Sequence, residues 1–337
     1  MSEDRTEYPP FSWSYTRDRM LGACERRYFW HYYGGHNGWE VRAPADARTA
    51  WRLKHLTTYA QELGSAIHER AQEIAVAVRD GSPRPSGGLL YRRTRNALEA
   101  LRLRCKSVDR FVQDPKRHSV TQQAYYGRPI PRDRLMQLGQ KMRLCLAHLA
   151  AHSLWAELGA ASRAGVLRLH VFTHTPSFLL DDTVVYAQPD LVFHTPVTGW
   201  VVVDWKTGFA EGTGDQMAVY CLLARAALPA VAAIEQFECR VVHLAAGRTD
   251  VGSVGPADLE RCATQIRARV SGMRQLLADA ALNKPEDRSH FALTANRRRC
   301  GSCNFLELCR EELAVGEPPA LPLEITLIPR NPTSPIW

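Results

Sequence analysis

The chain has 337 residues, 45% of them hydrophobic and 23% charged, the composition of a globular protein with room for one large domain or two ordinary ones. Its formal charge of +8 is compatible with a polyanionic partner without requiring one. No apolar run approaches a membrane span, the opening MSEDRTEYPP has no basic-then-apolar leader, and no GxxxxGK[ST] sequence points to a nucleotide-driven motor. Nine cysteines, an odd number, are expected to be free or metal-bound in a reducing compartment, so the expected location is the cytoplasm and no membrane partner is foreseen.

The segment up to about residue 44 is dense in aromatics and arginine, FSWSYTRDRMLGACERRYFWHYYGG. Its aromatics Tyr28, Phe29, Trp30, Tyr32 and Tyr33 are expected to pack around the metal-bound cysteines and cover them from water rather than stack on unpaired bases. From Trp51 the pattern turns helical, and Leu63, Ile67, Ala71, Ile74 and Val78 form a stripe of helical period. DGSPRPSGG (80–88) reads as a loop. A second helix is expected to show Leu101, Cys105, Val108 and Val112 on one face, with Arg92, Arg93, Arg95, Arg102, Arg104, Lys106 and Arg110 on the others. A third runs from about Arg132 to Leu158. Near residue 166 the period changes: VLRLHVFTH, DTVVYAQPDLVFHT and GWVVVDWKTG are rich in β-formers and read as consecutive strands of one sheet. DQMAVYCLLARAAL is then a helix, EQFECRVVHLAAG a strand and PADLERCATQIRARVSGMRQLLADAAL a long helix. RRRCGSCNFLELCR and a proline-rich tail follow.

VVVDWKTG (201–208) begins as a buried strand and ends on a carboxylate and an ammonium. Side chains two apart share one face of a strand, so Asp204 and Lys206 stand side by side. In QPD, Asp190 precedes the apolar LVF and is expected inside a strand, where a lone carboxylate is costly unless paired or metal-bound. If the two strands are neighbours, the carboxylates converge, and Mg²⁺ or Mn²⁺ relieves their repulsion. Lys206 would then orient or deprotonate a water, and cation, water and lysine are the equipment of phosphodiester hydrolysis. The plainer alternative is a strand-end salt bridge beside one satisfied aspartate, and spacing alone favours it. His68 borders the apolar stripe, a place more often held by a packed histidine than by a ligand. Gln216 and Tyr220, four apart, share one helical face as surface residues often do.

Taken in order, GSAIHE (64–69), QPD (188–190), VVVDWKTG (201–208) and QMAVY (216–220) resemble the motifs of the PD-(D/E)XK nuclease superfamily, in its RecB-like branch. The resemblance implies a restriction-endonuclease-like α/β core, a central mixed β-sheet flanked by helices, with a helical insertion. It implies a metal-dependent DNA nuclease, exo- or endonucleolytic, acting on single-stranded or frayed ends in repair, recombination or defence. His68, Asp190 and Asp204 would be the metal ligands. Lys206 would activate the attacking water, making Asp190, Asp204 and Lys206 the catalytic set, while Gln216 and Tyr220 would frame the site and the DNA strand. The chain departs from the pattern at Ala187, where a glycine is usual, and at His170, where a glutamate is common.

Cys300, Cys303 and Cys309 form C-x₂-C-x₅-C, one thiol short of a tetrahedral set. Most of Cys105, Cys145, Cys221, Cys239 and Cys262 lie in apolar patterns and read as small buried hydrophobes, whereas Cys24 lies in a polar and aromatic segment. One cysteine near the N-terminus and three after the core resemble the iron–sulfur nucleases of the AddB type and their CRISPR-associated relatives. That likeness implies a [4Fe–4S] cluster on Cys24, Cys300, Cys303 and Cys309, joining the two ends, with a Cys₄ Zn²⁺ site as the chemical alternative. Arg297, Arg298 and Arg299, with the arginine-rich helix at 92–110, suit either a phosphate-tracking groove or a solvated basic face. The expected organisation is 1–44 with the first cluster cysteine, a helical region 45–165, a nuclease core 166–285, a cluster segment 286–312 and a tail 313–337. The expected partners are DNA and a helicase or other complex subunit; the rival reading is a non-catalytic DNA-binding or scaffold subunit.

Overall fold

The computed structural model describes residues 7–172, 176–208, 214–228 and 236–314. Strand β1 (Ser12–Ser14) runs into α1 (Tyr15–Ala23), whose first turn is closed by the Ser14 hydroxyl accepting the Arg17 N–H. Cys24 is extended, and its thiol caps α2 (Glu25–Phe29), which continues as a π-helical turn over Trp30–Gly34. Arg17 is 3% exposed. It donates to the Tyr28 and Tyr33 hydroxyls and lies 4.3 Å from the Tyr32 ring centroid, so these rings close over a guanidinium and over Phe291. Of the aromatics expected around the cysteines, Trp30 and Phe29 do lie with Cys300 and Cys309, whereas Tyr28, Tyr32 and Tyr33 are taken by the buried Arg17 and Phe291 instead.

α3 (Ala45–Leu53) is followed by α4 (Tyr59–Arg79), N-capped by Thr58, and all five residues of its apolar stripe are buried. Two helices stand where one was expected over 92–112: α5 (Gly87–Arg104) and α6 (Val108–Gln113). The break lets α6 bury Phe111, a larger apolar surface than Val112, which stays 44% exposed. After α7 (Gln122–Tyr125), the third expected helix is likewise divided, into α8 (Arg132–Ala151) and α9 (Leu154–Arg163), because His152 takes an extended conformation between them.

The strands expected in one sheet form two. Strands β2 (Arg168–His170), β3 (Ser177–Leu180), β4 (Thr183–Tyr186), β5 (Leu191–Thr195) and β6 (Gly199–Lys206) precede α10 (Gly214–Ala227); β7 (Phe237–His243) and β8 (Arg248–Val254) precede α11 (Pro256–Arg274). The main sheet has the order β2-β5-β6-β7-β8, antiparallel except for the parallel pair β6–β7, hence mixed. β3 and β4 join β1 in a smaller sheet, with Trp13 opposite Val185. The stretch DTVVYAQPDLVFHT therefore supplies a strand to each sheet, divided at Ala187–Asp190, where Pro189 has no N–H to give a ladder.

β6 is the centre of the molecule, with Trp200 through Trp205 all buried. Its alternation sends Val202 toward Met217 and Tyr220 of α10 and Ile266 of α11. Val201, Val203 and Trp205 point the other way, toward Ile67, Leu146 and Trp155 of α4, α8 and α9. Each such valine contributes about 1.5 kcal/mol or more by leaving water.

The described residues end with the hairpin β9 (Leu277–Asp279) and β10 (Lys284–Pro285) and with α12 (Leu306–Ala314), which fold back on the N-terminal helices. Arg26, 5% exposed, donates to the Phe291 carbonyl at 2.9 Å and pairs with Glu312. Ala292 N donates to Glu25 at 2.9 Å. The proline-rich tail, from residue 315 on, lies outside the described residues. Among the described residues no helix is long and apolar enough to cross a membrane.

Candidate active site

The antiparallel register that sets Leu191 opposite Val203 brings Asp190, one residue before β5, level with Asp204 on β6. Asp190 is thus at the threshold of its strand rather than within it, and two contacts hold it. Its Oδ2 accepts the Trp205 N–H at 2.7 Å, and its Oδ1 lies 2.6 Å from His68 Nδ1. α4 delivers the histidine: Gly64, one helical turn earlier, faces Thr207, whose hydroxyl would lie 3.4 Å from a Cβ there. Burial works against a charged His68, but the Asp190 hydrogen bond and charge, with Asp204 behind, outweigh it and hold its pKa above the ordinary value.

Asp204 is 3% exposed. Lys206 Nζ stands 2.6 Å from its Oδ2, yet that oxygen has no hydrogen bond of ordinary geometry among the described residues, so the contact is an ion pair without alignment. Burial pushes the Asp204 pKa up; Lys206 opposes this and Asp190 adds to it. From Lys206 a relay continues into α10. Nζ donates to Gln216 Oε1 at 2.8 Å, and Gln216 Nε2 donates to the Tyr220 hydroxyl at 2.6 Å. Burial, then the two carboxylates, raise the Tyr220 pKa far above its usual value and keep the phenol neutral.

The site therefore joins residues from both faces of the sheet: His68 from α4, Gln216 and Tyr220 from α10, and the two aspartates and the lysine from β5 and β6. Among the described residues no group of three or more His, Cys, Asp or Glu side chains is gathered for a metal ion, and His68 is turned onto Asp190. What the site does present is a carboxylate pair in which one buried oxygen lacks a hydrogen bond and burial disfavours the negative charge. That donor chemistry fits a hard divalent cation. Sequence reasoning missed the Trp205 peptide N–H, which the i, i+2 parity of Asp204 and Lys206 leaves between them; only the strand register identifies it.

The cysteines expected to act together come from both ends of the chain. Burial raises the pKa of Cys300 and Cys303, and the nearby Cys24 thiol adds to both shifts. Burial pushes Cys309 up to about 12, with Cys303 adding to it and the Trp30 indole N–H, which has no ordinary hydrogen-bond partner, opposing it. The four are neighbours without forming a gathered ligand set. Arg297, Arg298 and Arg299 lie exposed on the 3₁₀ turn before Cys303. On α5 and its turn, Arg93 pairs with Glu73 at 2.8 Å, Arg104 with Glu62 at 3.5 Å, and Arg102 with Glu99, which makes that face a salt-bridged surface. At the two departures from the motif pattern, Ala187 is buried and His170 stacks on Trp200 with ring centroids 6.0 Å apart.

A family model of the PD-(D/E)XK nuclease superfamily matches residues 12–310. No curated protein matches the chain.

Proposed function

The chain belongs to the PD-(D/E)XK nuclease superfamily, a family of metal-dependent nucleases, and from that premise we propose that it hydrolyses the phosphodiester backbone of DNA at single-stranded or frayed ends. The observation that carries this reading is the relay Asp204–Lys206–Gln216–Tyr220, linked at 2.6, 2.8 and 2.6 Å, beside the His68–Asp190 pair. Asp190 and Asp204 would hold Mg²⁺ or Mn²⁺, which when bound supplies charge stabilisation at the phosphoryl group and a more acidic water.

The protein's own groups have distinct tasks. The Lys206 ammonium has three N–H donors; one faces Asp204 and one is engaged by Gln216, leaving the third for the attacking water or the phosphoryl oxygen. Gln216 fixes the ammonium, and the neutral Tyr220 hydroxyl fixes Gln216. His68 and the Trp205 N–H hold Asp190 in one orientation. A water positioned this way attacks the phosphorus in line with the leaving oxygen.

We assign Cys24, Cys300, Cys303 and Cys309 as the ligands of a [4Fe–4S] cluster, with Zn²⁺ as the alternative, and Arg297, Arg298 and Arg299 as contacts to phosphate. Their shared neighbourhood supports the cluster, and all nine cysteines are free of disulfides, which suits a cytoplasmic enzyme of repair, recombination or defence working beside a separate helicase. The test is anaerobic purification of wild type and Asp204→Ala, followed by incubation with end-labelled single- and double-stranded DNA and Mg²⁺ or Mn²⁺. Cleavage by wild type alone is expected, in an iron-containing preparation. DNA binding without cleavage by either protein would favour the scaffold reading, and a colourless preparation that cuts would move the cysteines to zinc.

A further inference from the structure

The loop after the π-helical turn folds back onto α3 and encloses with it a cavity of about 490 Å³. The approach is close: at Gly38 a Cβ would lie 2.2 Å from the Ala47 carbonyl oxygen and 2.5 Å from Trp51 Cβ, so only glycine lets the loop lie there. The walls include Trp39, Glu40, Arg48, Thr49, Trp51 and Arg52, none of which belongs to the His68–Asp190–Asp204–Lys206 group.

Two features mark the cavity as built for a ligand. The first is aromatic. Trp39 is 49% exposed, yet its ring is held edge-on against His36 with centroids 5.7 Å apart. Trp51 is held in the same way against His55 at 5.2 Å. Two fixed indoles on one cavity are flat apolar surfaces kept partly in water, an arrangement that folding alone does not favour. The second is cationic. Arg48 and Arg52 are one turn apart on α3 and face the same side. Arg52 Nε is buried without a hydrogen-bond partner; its Nη2 reaches Thr49 Oγ1 at 3.3 Å and Glu307 at 4.0 Å, and its guanidinium carbon lies 6.0 Å from the Tyr125 ring centroid. Arg48 has no ion-pair partner among the described residues.

Indole faces offer stacking to any base, and guanidinium groups offer paired N–H donors to a phosphate. Glu40, the carboxylate of the lining, sets the cavity apart from a plain anion site. We propose that this cavity binds one unpaired nucleotide of the DNA strand, its base on Trp39 and its phosphate on Arg48 and Arg52, as an anchor separate from the cleavage site. Only the choice of DNA as the source of that nucleotide rests on the nuclease reading. Duplex DNA, with its bases stacked inside, meets the arginines but not the indole.

The experiment is fluorescence anisotropy in EDTA, where nothing is cut, using the full chain with a fluorescein-labelled oligo-dT and a blunt duplex of equal length. Trp39→Ala is expected to weaken oligo-dT binding about tenfold while duplex affinity stays within about twofold. Arg48→Ala is expected to weaken both and to reduce the salt dependence by about one phosphate contact. Thermal melting of each variant beside wild type controls for folding, and Trp39→Phe, which keeps an aromatic face, should recover most of the loss. Oligo-dT affinity within about twofold of wild type in both Trp39→Ala and Arg48→Glu overturns the proposal. Cleavage by wild type, measured separately, keeps the two readings apart. A nuclease whose oligo-dT binding is indifferent to both Trp39→Ala and Arg48→Glu loses the anchor alone, whereas Trp39-dependent binding without cleavage retains the anchor and refutes the nuclease.

Discussion

Asp190 and Trp205 meet through the backbone: the carboxylate accepts the Trp205 N–H at 2.7 Å, so Asp190 is fixed to the residue that separates Asp204 from Lys206. Asp190→Asn keeps an oxygen for that N–H but loses half of the paired charge. Cleavage is expected to fall by about 10²-fold or more, with melting temperature nearly unchanged. The stabilisation that Mg²⁺ confers on wild type in a thermal-shift titration should be lost as well. An Asn variant that still responds to Mg²⁺ like wild type would remove Asp190 from the cation site.

Lys206 and its supports should separate in kinetics. Lys206→Met removes the group that handles the water, and kcat is expected to drop by about 10²–10⁴-fold while KM changes little. Gln216→Ala frees the ammonium without deleting it, so a smaller loss, about tenfold, is expected. Tyr220→Phe removes the hydroxyl that fixes Gln216 and should resemble Gln216→Ala. Single-turnover rates on end-labelled DNA report all three, and equal losses at Lys206 and Gln216 would contradict the assigned order of roles.

The site was legible in the sequence wherever its geometry follows local periodicity. The valine run and the i, i+2 spacing gave β6 and the pairing of Asp204 with Lys206, and the period-3.6 stripe placed His68 on α4. Less legible were features set by partners distant in sequence. β8 reads RTDVGSV, mostly exposed, and holds its place by backbone pairing with β7, so it has no apolar alternation to announce it. Arg17 and Arg26 are buried cations whose partners are aromatic hydroxyls, a carbonyl and a C-terminal glutamate, and charge alone marks such residues as surface. The break after Arg104 follows from which side chain tertiary packing buries, and the one after Ala151 from the extended backbone at His152, neither of which local periodicity shows.

The pH response of stability should carry the mark of His31. Burial, followed by Lys54, Arg27, Arg17 and His55, lowers its pKa from 6.5 to about 4. Below pH 6.5 the unfolded chain therefore takes up a proton there that the folded chain refuses until about pH 4. The contribution is present above that window and is lost as pH falls through it. Melting temperatures of wild type should decline across the window more steeply than those of His31→Gln. Parallel curves would mean that the His31 ring is better solvated than its packing against Phe305 indicates.

Arg26 ties the two ends of the chain together, and Arg26→Ala removes a buried charge, its bond to the Phe291 carbonyl and its pair with Glu312. The loss is expected to be about 2–3 kcal/mol in urea denaturation. Glu312→Gln, at the more exposed end, should cost about 1 kcal/mol. Equal effects would place the energy in the ion pair rather than in the carbonyl contact.

That same tie has a consequence for how the protein is made. Arg26 and Glu312 are 286 residues apart, and at about 5–20 residues per second the ribosome needs roughly 15–60 s to supply the second after the first. For most of that interval Tyr28 and Tyr33 wait for Phe291, and Trp30 for Cys300 and Cys309; these rings, buried in the finished molecule, are available to whatever binds nascent apolar chain. The segment around Arg26, made long before its partners, is among the last to reach its place.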